Sequence, residues 1–126
     1  MITASLKNYR ISPRKVRLVA DMIRGKSVSD ARNILASAVR KAKHPLRDLL
    51  DSAVANARAS GAAAENLFVK TITVDKGAVM RRSRPFARGR SGTLRKTMSI
   101  VAIELGTNPK GAKASKRISS KLEARS

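Results

Sequence analysis

Residues 76–96 read Lys-Gly-Ala-Val-Met-Arg-Arg-Ser-Arg-Pro-Phe-Ala-Arg-Gly-Arg-Ser-Gly-Thr-Leu-Arg-Lys, and this stretch decides the fold. It holds eight basic residues, no acidic residue and few bulky apolar side chains. A tight β-hairpin needs only about two to five loop residues, so this stretch is too long for a simple connection. It is therefore either a flexible loop or two projecting strands, which at about 3.3 Å per residue would reach roughly 30 Å. Such a polar segment cannot bury itself, so we expect a partner to order it.

Strand-like segments flank this stretch. Residues 67–74, Leu-Phe-Val-Lys-Thr-Ile-Thr-Val, and residues 98–105, Met-Ser-Ile-Val-Ala-Ile-Glu-Leu, are rich in β-branched and apolar side chains. Residues 2–9 alternate apolar and polar side chains, beginning with Ile2. This alternation is typical of a half-buried strand. The three segments are expected to form one small antiparallel sheet.

Two short helices are predicted after the first strand. The first begins at Ser12-Pro13, because Ser12 can cap the unpaired amides and Pro13 suits the first turn. Gly25 is placed to end it in a left-handed conformation. The second helix opens at Ser27, with Asp30 as its capping-box partner.

A third, longer helix is predicted to begin at Pro45 and to end before Gly61. Asp48 and Asp51 are interpreted as acids near its positive end. The apolar stripes of the three helices are Val16, Val19, Ala20 and Ile23, then Ala31, Ile34, Leu35, Ala38 and Val39, then Leu46, Leu49, Leu50, Ala53, Val54 and Ala57. With the sheet they predict an α+β fold, a three-stranded antiparallel sheet packed against three helices, with a long protruding β-hairpin and a basic C-terminal tail.

The charge balance indicates a polyanionic partner. The 126 residues include 28 Lys and Arg against 8 Asp and Glu, a formal net charge of +20. Self-repulsion at this charge opposes folding unless counter-charge is near, and nucleic acid is the commonest polyanion in a cell. No apolar run is long enough to cross a membrane, and the N-terminus, Met1-Ile2-Thr3-Ala4-Ser5, lacks the features of a secretory signal. We expect an intracellular protein bound to nucleic acid.

The sequence offers little for catalysis. It contains no Cys, which excludes disulfides, thiolate metal sites and Cys nucleophiles. Its one histidine, His44, precedes Pro45 and is best interpreted as a capping or solvent-facing residue. Residues 88–92, Arg-Gly-Arg-Ser-Gly, lack the strand–loop–helix spacing of a phosphate-binding loop. No enzymatic activity, cofactor or metal site is expected.

A basic β-arm on a helical body fits two kinds of nucleic-acid-binding protein. One is a DNA-bending architectural protein, whose arms enter the minor groove and insert an apolar wedge. The other is a ribosomal protein, whose arm threads between RNA helices and neutralises phosphates. Architectural dimers need a large apolar dimer surface, and an Ala-rich chain with three aromatic residues hardly supplies one, so RNA is favoured. Phe86, within the arm, is expected either to stack on a base or to pack against the opposite strand.

Several runs resemble one known family. Residues 12–26, Ser-Pro-Arg-Lys-Val-Arg-Leu-Val-Ala-Asp-Met-Ile-Arg-Gly-Lys, followed by Val28, Ala31 and Leu35, closely resemble the bacterial form of universal large-subunit ribosomal protein twenty-two. Further matching runs are Ala55-Asn56-Ala57, Val74-Asp75-Lys76-Gly77, Met80-Arg81-Arg82 and Pro85-Phe86-Ala87-Arg88-Gly89-Arg90. The resemblance covers about residues 2 to 105 in order. Phe86 stands where that family usually carries a basic residue, which favours a stacking contact there.

The resemblance implies a globule on the outer surface of the large ribosomal subunit, near the exit of the peptide tunnel. It implies a hairpin that runs inward and contacts ribosomal RNA on one side and the nascent polypeptide on the other. The tip that would line the tunnel is Met80, Arg81, Arg82, Ser83, Arg84, Pro85, Phe86, Ala87, Arg88, Gly89 and Arg90. Implied partners are large-subunit ribosomal RNA, neighbouring ribosomal proteins and the nascent chain, with no membrane and no self-oligomer. A bacterial cytoplasmic ribosome and a related organellar one are both compatible.

The expected organisation is a single α+β domain over residues 1–105, including an extended hairpin over residues 76–97, which we call the arm, and a basic flexible tail over residues 106–126. Arginine is favoured for phosphate contacts because its guanidinium bridges phosphates in a bidentate manner and stacks on bases. The residues expected to bind ribosomal RNA are Lys7, Arg10, Arg14, Lys15, Arg17, Arg24, Lys26, Lys76, Arg81, Arg82, Arg84, Arg88, Arg90, Arg95 and Lys96.

Overall fold

The computed structural model describes residues 1–107. Its elements in chain order are β1 (Ile2–Tyr9), α1 (Pro13–Ile23), α2 (Val28–Ser37), α3 (Lys43–Ala59), β2 (Leu67–Pro85) and β3 (Ser91–Thr107), with single 3-10 turns at Ala64–Asn66 and Ala87–Gly89. The predicted α+β class, with three helices and three strands, is confirmed. The predicted basic tail lies outside the described residues from position 108 onward, and Gly106 and Thr107 extend β3.

The three strands form one antiparallel sheet in the order β1-β3-β2. The central strand β3 pairs with β1 from Leu105 to Ser99 and with β2 along its whole length. Consequently β2 and β3 continue as a paired two-stranded arm where β1 stops. Two residues of β2, Gly77 and Ala78, form a bulge at the base of the arm, since Lys76 faces Ser99 while Val79 faces Thr97.

The core lies between one face of the sheet and the helices. It takes alternate residues of the strands, such as Val69, Ile72 and Val74 of β2, together with the apolar stripes of the helices. The predicted stripes of α1 and α3 are buried at every position. This core ends where the arm begins, because every residue from Met80 to Arg90 is solvent-exposed.

The helix ends confirm part of the capping predictions. At α2, the Ser27 hydroxyl accepts a hydrogen bond from the Asp30 amide at 3.2 Å and donates one to the Asp30 carboxylate at 2.7 Å. Gly25 and Gly61 follow α1 and α3 with positive φ angles of 73° and 84°. Ser12 precedes α1, but the predicted side-chain cap is wrong, since only its carbonyl accepts from the amides of Lys15 and Val16.

Two further local predictions are wrong because one helix ends earlier, and another begins earlier, than the sequence predicted. The second helix ends at Ser37, so Val39 lies beyond it and is exposed rather than in its apolar stripe. The third helix begins at Lys43, two residues before Pro45, so Asp48 and Asp51 lie after its first turn. Asp51 instead forms an ion pair with Arg32 of α2, with 2.7 Å between Asp51 Oδ1 and Arg32 Nη2, and this pair links the two helices.

Candidate nucleic-acid interface

The arm is a continuous antiparallel ribbon. Its pairs run from Val79 opposite Thr97 to Pro85 opposite Ser91, without a break after the bulge. Of the two alternatives for this stretch, projecting strands and a flexible loop, the structure has the strands. The backbone groups between the strands are therefore paired, whereas the side chains on both faces reach solvent.

The pairing register divides the arm into two faces, because directly opposed residues lie on the same side of a ribbon and successive residues alternate. The helix-side face continues the core face of β3 and carries Val79, Arg81, Ser83, Pro85, Ser91, Thr93, Arg95 and Thr97. The outer face carries Met80, Arg82, Arg84, Phe86, Gly92, Leu94 and Lys96. Both faces therefore carry cations.

The two faces differ in chemistry. On the helix-side face Arg81 lies directly opposite Arg95, an arrangement of like charges that disfavours the ribbon unless an anion lies between them. Ser83 and Thr93 form the next pair and add hydroxyl groups. The outer face instead combines cations with exposed apolar side chains, including Leu94 opposite Arg82.

The tip is closed by a short turn. The Phe86 amide donates to the Arg90 carbonyl at 2.7 Å, and Arg88 and Gly89 both have positive φ angles, of 60° and 66°. The Phe86 ring lies over Gly92, where an added Cβ would come within 2.0 Å of the ring. Phe86 therefore packs against the opposite strand, while 62 % of it stays exposed.

The basic residues around α1 do not form one uniform surface. Arg17 donates to the Val74 carbonyl through Nε at 3.1 Å and Nη2 at 2.9 Å, and Arg24 donates to the Ile72 carbonyl at 3.0 Å. Both carbonyls belong to the outer edge of β2. These two arginines, predicted to bind RNA, are thus engaged in covering the sheet edge.

The chain between α1 and α2 completes this cover. The Gly25 amide donates to the Val69 carbonyl at 3.0 Å, and the Val69 amide donates to the Lys26 carbonyl at 2.9 Å. The side chains of Lys7, Arg10, Arg14, Lys15 and Lys26 remain exposed. The predicted basic residues around α1 are therefore all exposed, but two of them, Arg17 and Arg24, also donate hydrogen bonds to the edge of the sheet.

Carboxylates do not neutralise the arm within residues 1–107. The salt bridges of this part of the chain join Arg24 to Asp21, Arg32 to Asp51 and Lys70 to Glu104. The arm itself contains no acidic residue. The site is therefore strongly electropositive along its length, which favours a polyanionic ligand.

Other kinds of site find no support in the described residues. Residues 1–107 contain no cluster of three potential metal ligands and no helix long and apolar enough to cross a membrane. Burial raises the pKa of the Tyr9 phenol, and this residue packs against the core where β1 ends, opposite Ser99.

Sequence reasoning missed two residues of the arm and one feature of its base. Gly92 receives the Phe86 ring, and Leu94 supplies apolar surface between cations of the outer face. Neither role has a sequence signal until the strand register is known. The bulge at Gly77 had a signal, because a glycine within a strand pattern often marks one.

Comparison with known proteins gives a consistent result. Residues 4–106 match the model of the family described as ribosomal protein L22p/L17e. The large ribosomal subunit protein uL22 of Anaeromyxobacter sp. (strain K) is 48% identical over 110 residues, covering 86% of this chain and 75% of that protein. The proteins of the same name from Syntrophotalea carbinolica and Geobacter metallireducens are 46% and 47% identical over 103 residues, each alignment covering 81% of this chain and 94% of the relative.

Proposed function

The chain belongs to the ribosomal protein L22p/L17e family, and on this premise we propose that it is a structural, non-enzymatic constituent of the large ribosomal subunit in the cytoplasm. It binds large-subunit ribosomal RNA, supports the folding of that RNA during assembly and contacts neighbouring ribosomal proteins. Its arm reaches into the RNA, and the tip of the arm lines the tunnel through which the nascent polypeptide leaves.

One observation carries this proposal, namely that cations lie on both faces of a paired ribbon. A ribbon that carried cations on one face only could bind RNA on that side alone. Here Arg81 and Arg95 lie on the helix-side face, and Arg82, Arg84 and Lys96 lie on the outer face. RNA on both sides of the arm would neutralise all of them, and the like-charged pair would share a phosphate.

Only the end of the tip, residues 86–90, contacts less RNA in this proposal. The pairing of β2 with β3 ends at Pro85 and Ser91, and the closed turn at residues 86–90 holds Phe86 and Arg88 at the end of the ribbon. A ribbon enclosed by RNA along its sides presents only this end to the tunnel. The nascent chain would therefore pass Phe86, Ala87 and Arg88.

The exposed cations of the body supply a second contact. Arg10, Arg14 and Lys15 lie at the start of α1, and Lys7 and Lys26 lie nearby in the chain. Each cation placed against a phosphate releases condensed counterions, so affinity falls steeply with salt. If about eight phosphates are engaged, the slope of log affinity against log salt is about −6 to −7, with about 0.7 per contact.

A matched pair of double variants tests the arm. Arg81→Gln with Arg84→Gln removes two arm cations, whereas Arg47→Gln with Arg58→Gln removes two exposed cations of α3 and lowers the net charge equally. Binding of the purified chain to large-subunit ribosomal RNA is measured over a range of salt concentrations. We expect the arm variant to reduce the magnitude of the slope by about 1.4, and the α3 variant to leave it nearly unchanged. Equal effects of the two would refute a specific role for the arm.

Sedimentation tests the cellular partner. In a lysate separated on a gradient, the chain is expected to travel with large ribosomal subunits after a moderate salt wash and to leave that fraction after RNase treatment. Association with DNA that is released by DNase would favour the DNA-bending alternative and overturn the proposal.

A further inference from the structure

A surface cleft separates the start of α1 from the loop between α2 and α3. Its volume is about 600 Å³, and its lining includes Arg10, Lys15, Leu18, Val39, Arg40 and Lys41. The cleft lies on the helical body rather than on the arm. Arg10 and Lys15 are among the residues predicted from sequence to bind RNA, whereas Leu18, Arg40 and Lys41 had no predicted role.

The cleft contains two apolar side chains that the core does not use. Leu18 is 57% exposed because it lies on the side of α1 opposite the buried Val16 and Val19. Val39 is 96% exposed because α2 has already ended and Ala38 takes the last buried position. Single exposed apolar residues are ordinary on protein surfaces. Two that line one cleft offer an apolar patch to a ligand.

The rim of the cleft is cationic. Arg10 and Lys15 lie on the α1 side, and Arg40 and Lys41 lie on the loop side. No acidic residue of the described chain lines it. A ligand that complements the cleft therefore has an apolar or aromatic part beside two or more negative charges.

We propose that this cleft binds an unstacked nucleotide of single-stranded RNA. The base would cover Leu18 and Val39, and the flanking phosphates would contact Arg10, Lys15, Arg40 and Lys41. A duplex offers only phosphates here, because its bases are stacked inside, whereas splayed bases of loops and bulges are available to side chains. The volume lies within the range of small-ligand sites, about 300–1,000 Å³. The inference rests on the proposed binding of ribosomal RNA.

Binding of defined RNA by the purified full-length chain is the first test. The probes are a single-stranded oligouridylate, whose bases stack little, and a fully paired duplex with the same number of phosphates. We expect Leu18→Ala to weaken binding of the single strand roughly three- to tenfold by removing buried apolar surface, with no change for the duplex. Met22→Ala is the matched control, since Met22 is an exposed apolar residue of α1 that does not line the cleft. Equal weakening of both probes by Leu18→Ala, or no weakening, would overturn the inference.

Photo-crosslinking within assembled subunits is the second test. A benzophenone amino acid replaces Leu18, or Met22 as control, and particles that contain the chain are irradiated. A crosslink from position 18 to an unpaired ribosomal RNA nucleotide supports the inference. A crosslink from there to a ribosomal protein, or none to RNA, would overturn it and leave the proposed function intact. Absence of the chain from large subunits would instead refute the proposed function, while the oligonucleotide measurement would still decide the cleft.

Discussion

The arginines of α1 and those of the arm are the same side chain in opposite situations. Arg17 and Arg24 donate to backbone carbonyls at the outer edge of β2, 57 and 48 residues away in sequence. Arg82 and Arg84 lie on a ribbon with no helix beside it, and within residues 1–107 they form no salt bridge. Net charge alone therefore does not say how many cations are free of contacts within the chain. Their position relative to the sheet edge does.

The same contrast separates stability from binding. In the body, the helices bury the apolar face of the sheet, and the arginines of α1 donate hydrogen bonds to backbone carbonyls at its edge. In the arm, the backbone hydrogen bonds between β2 and β3 are the contacts that hold the two strands together. We infer that substitutions in the body change chiefly the free energy of unfolding, and that substitutions in the arm change chiefly RNA affinity.

The largest expected difference compares two leucines. Leu50 of α3 is 0% exposed, and Leu94 of the arm is 40% exposed. Leu50→Ala should reduce the free energy of unfolding by about 2–5 kcal/mol, because it removes packed atoms and leaves a cavity. Leu94→Ala should reduce it by less than about 1 kcal/mol. Urea denaturation of both variants measures this, and similar losses would show that the arm is part of the core.

The next comparison exchanges arginines between the two situations. Arg17→Met removes both donors to the Val74 carbonyl, which should cost about 1–3 kcal/mol of unfolding free energy. Arg81→Met should change that quantity by no more than about 0.5 kcal/mol and should weaken RNA binding instead. Thermal melts and RNA titrations of each variant decide the matter. If Arg17→Met left stability unchanged, its hydrogen bonds to the sheet edge would not contribute to folding.

Shortening the arm gives a smaller effect on folding. Val79 and Thr97 are directly paired, so replacing residues 80–96 by Asn-Gly would close the hairpin with a two-residue turn. The shortened chain should unfold in a single cooperative transition, with a stability within about 1 kcal/mol of the parent. Calorimetry of the purified variant measures this. Loss of the cooperative transition would mean that the body depends on the arm.

The smallest global effect is expected at the tip. Gly92→Ala places a methyl group where the Phe86 ring lies, so the ring must move while the body stays unchanged. We expect altered NMR chemical shifts confined to residues near the tip and an unfolding free energy within about 0.5 kcal/mol of the parent. In a Phe86→Ala background the same substitution should produce little further shift at the tip. An equally large shift there would show that Phe86 does not depend on Gly92.

Local patterns predicted the elements that local physics determines. Alternation in residues 2–9 and helical spacing in α1 and α3 reflect one buried face, and that face is observed. The Ser27–Asp30 cap likewise involves neighbours in sequence. These features could be predicted because the residues that cause them lie within a few positions of one another.

The failures involve partners distant in sequence. Asp51 looked like a first-turn acid, but its partner Arg32 lies 19 residues away on another helix. Arg17 stays a predicted RNA-binding residue, but its hydrogen bonds to the Val74 carbonyl at the sheet edge depend on a partner 57 residues away. The division of the arm into two faces also required the register, which the bulge at Gly77 shifts by one residue.

The arm has two outer strand edges that nothing in residues 1–107 covers beyond the bulge, since β1 and the α1 arginines reach only the body. Uncovered strand edges invite pairing between molecules, and lysine and arginine are a common protection against it. The charges that we propose bind RNA would thus also oppose association between copies of the chain that are not bound to RNA. We expect the chain to aggregate when all cations of its arm are replaced by glutamine, whereas the native chain should stay monodisperse. Light scattering of both proteins measures the difference.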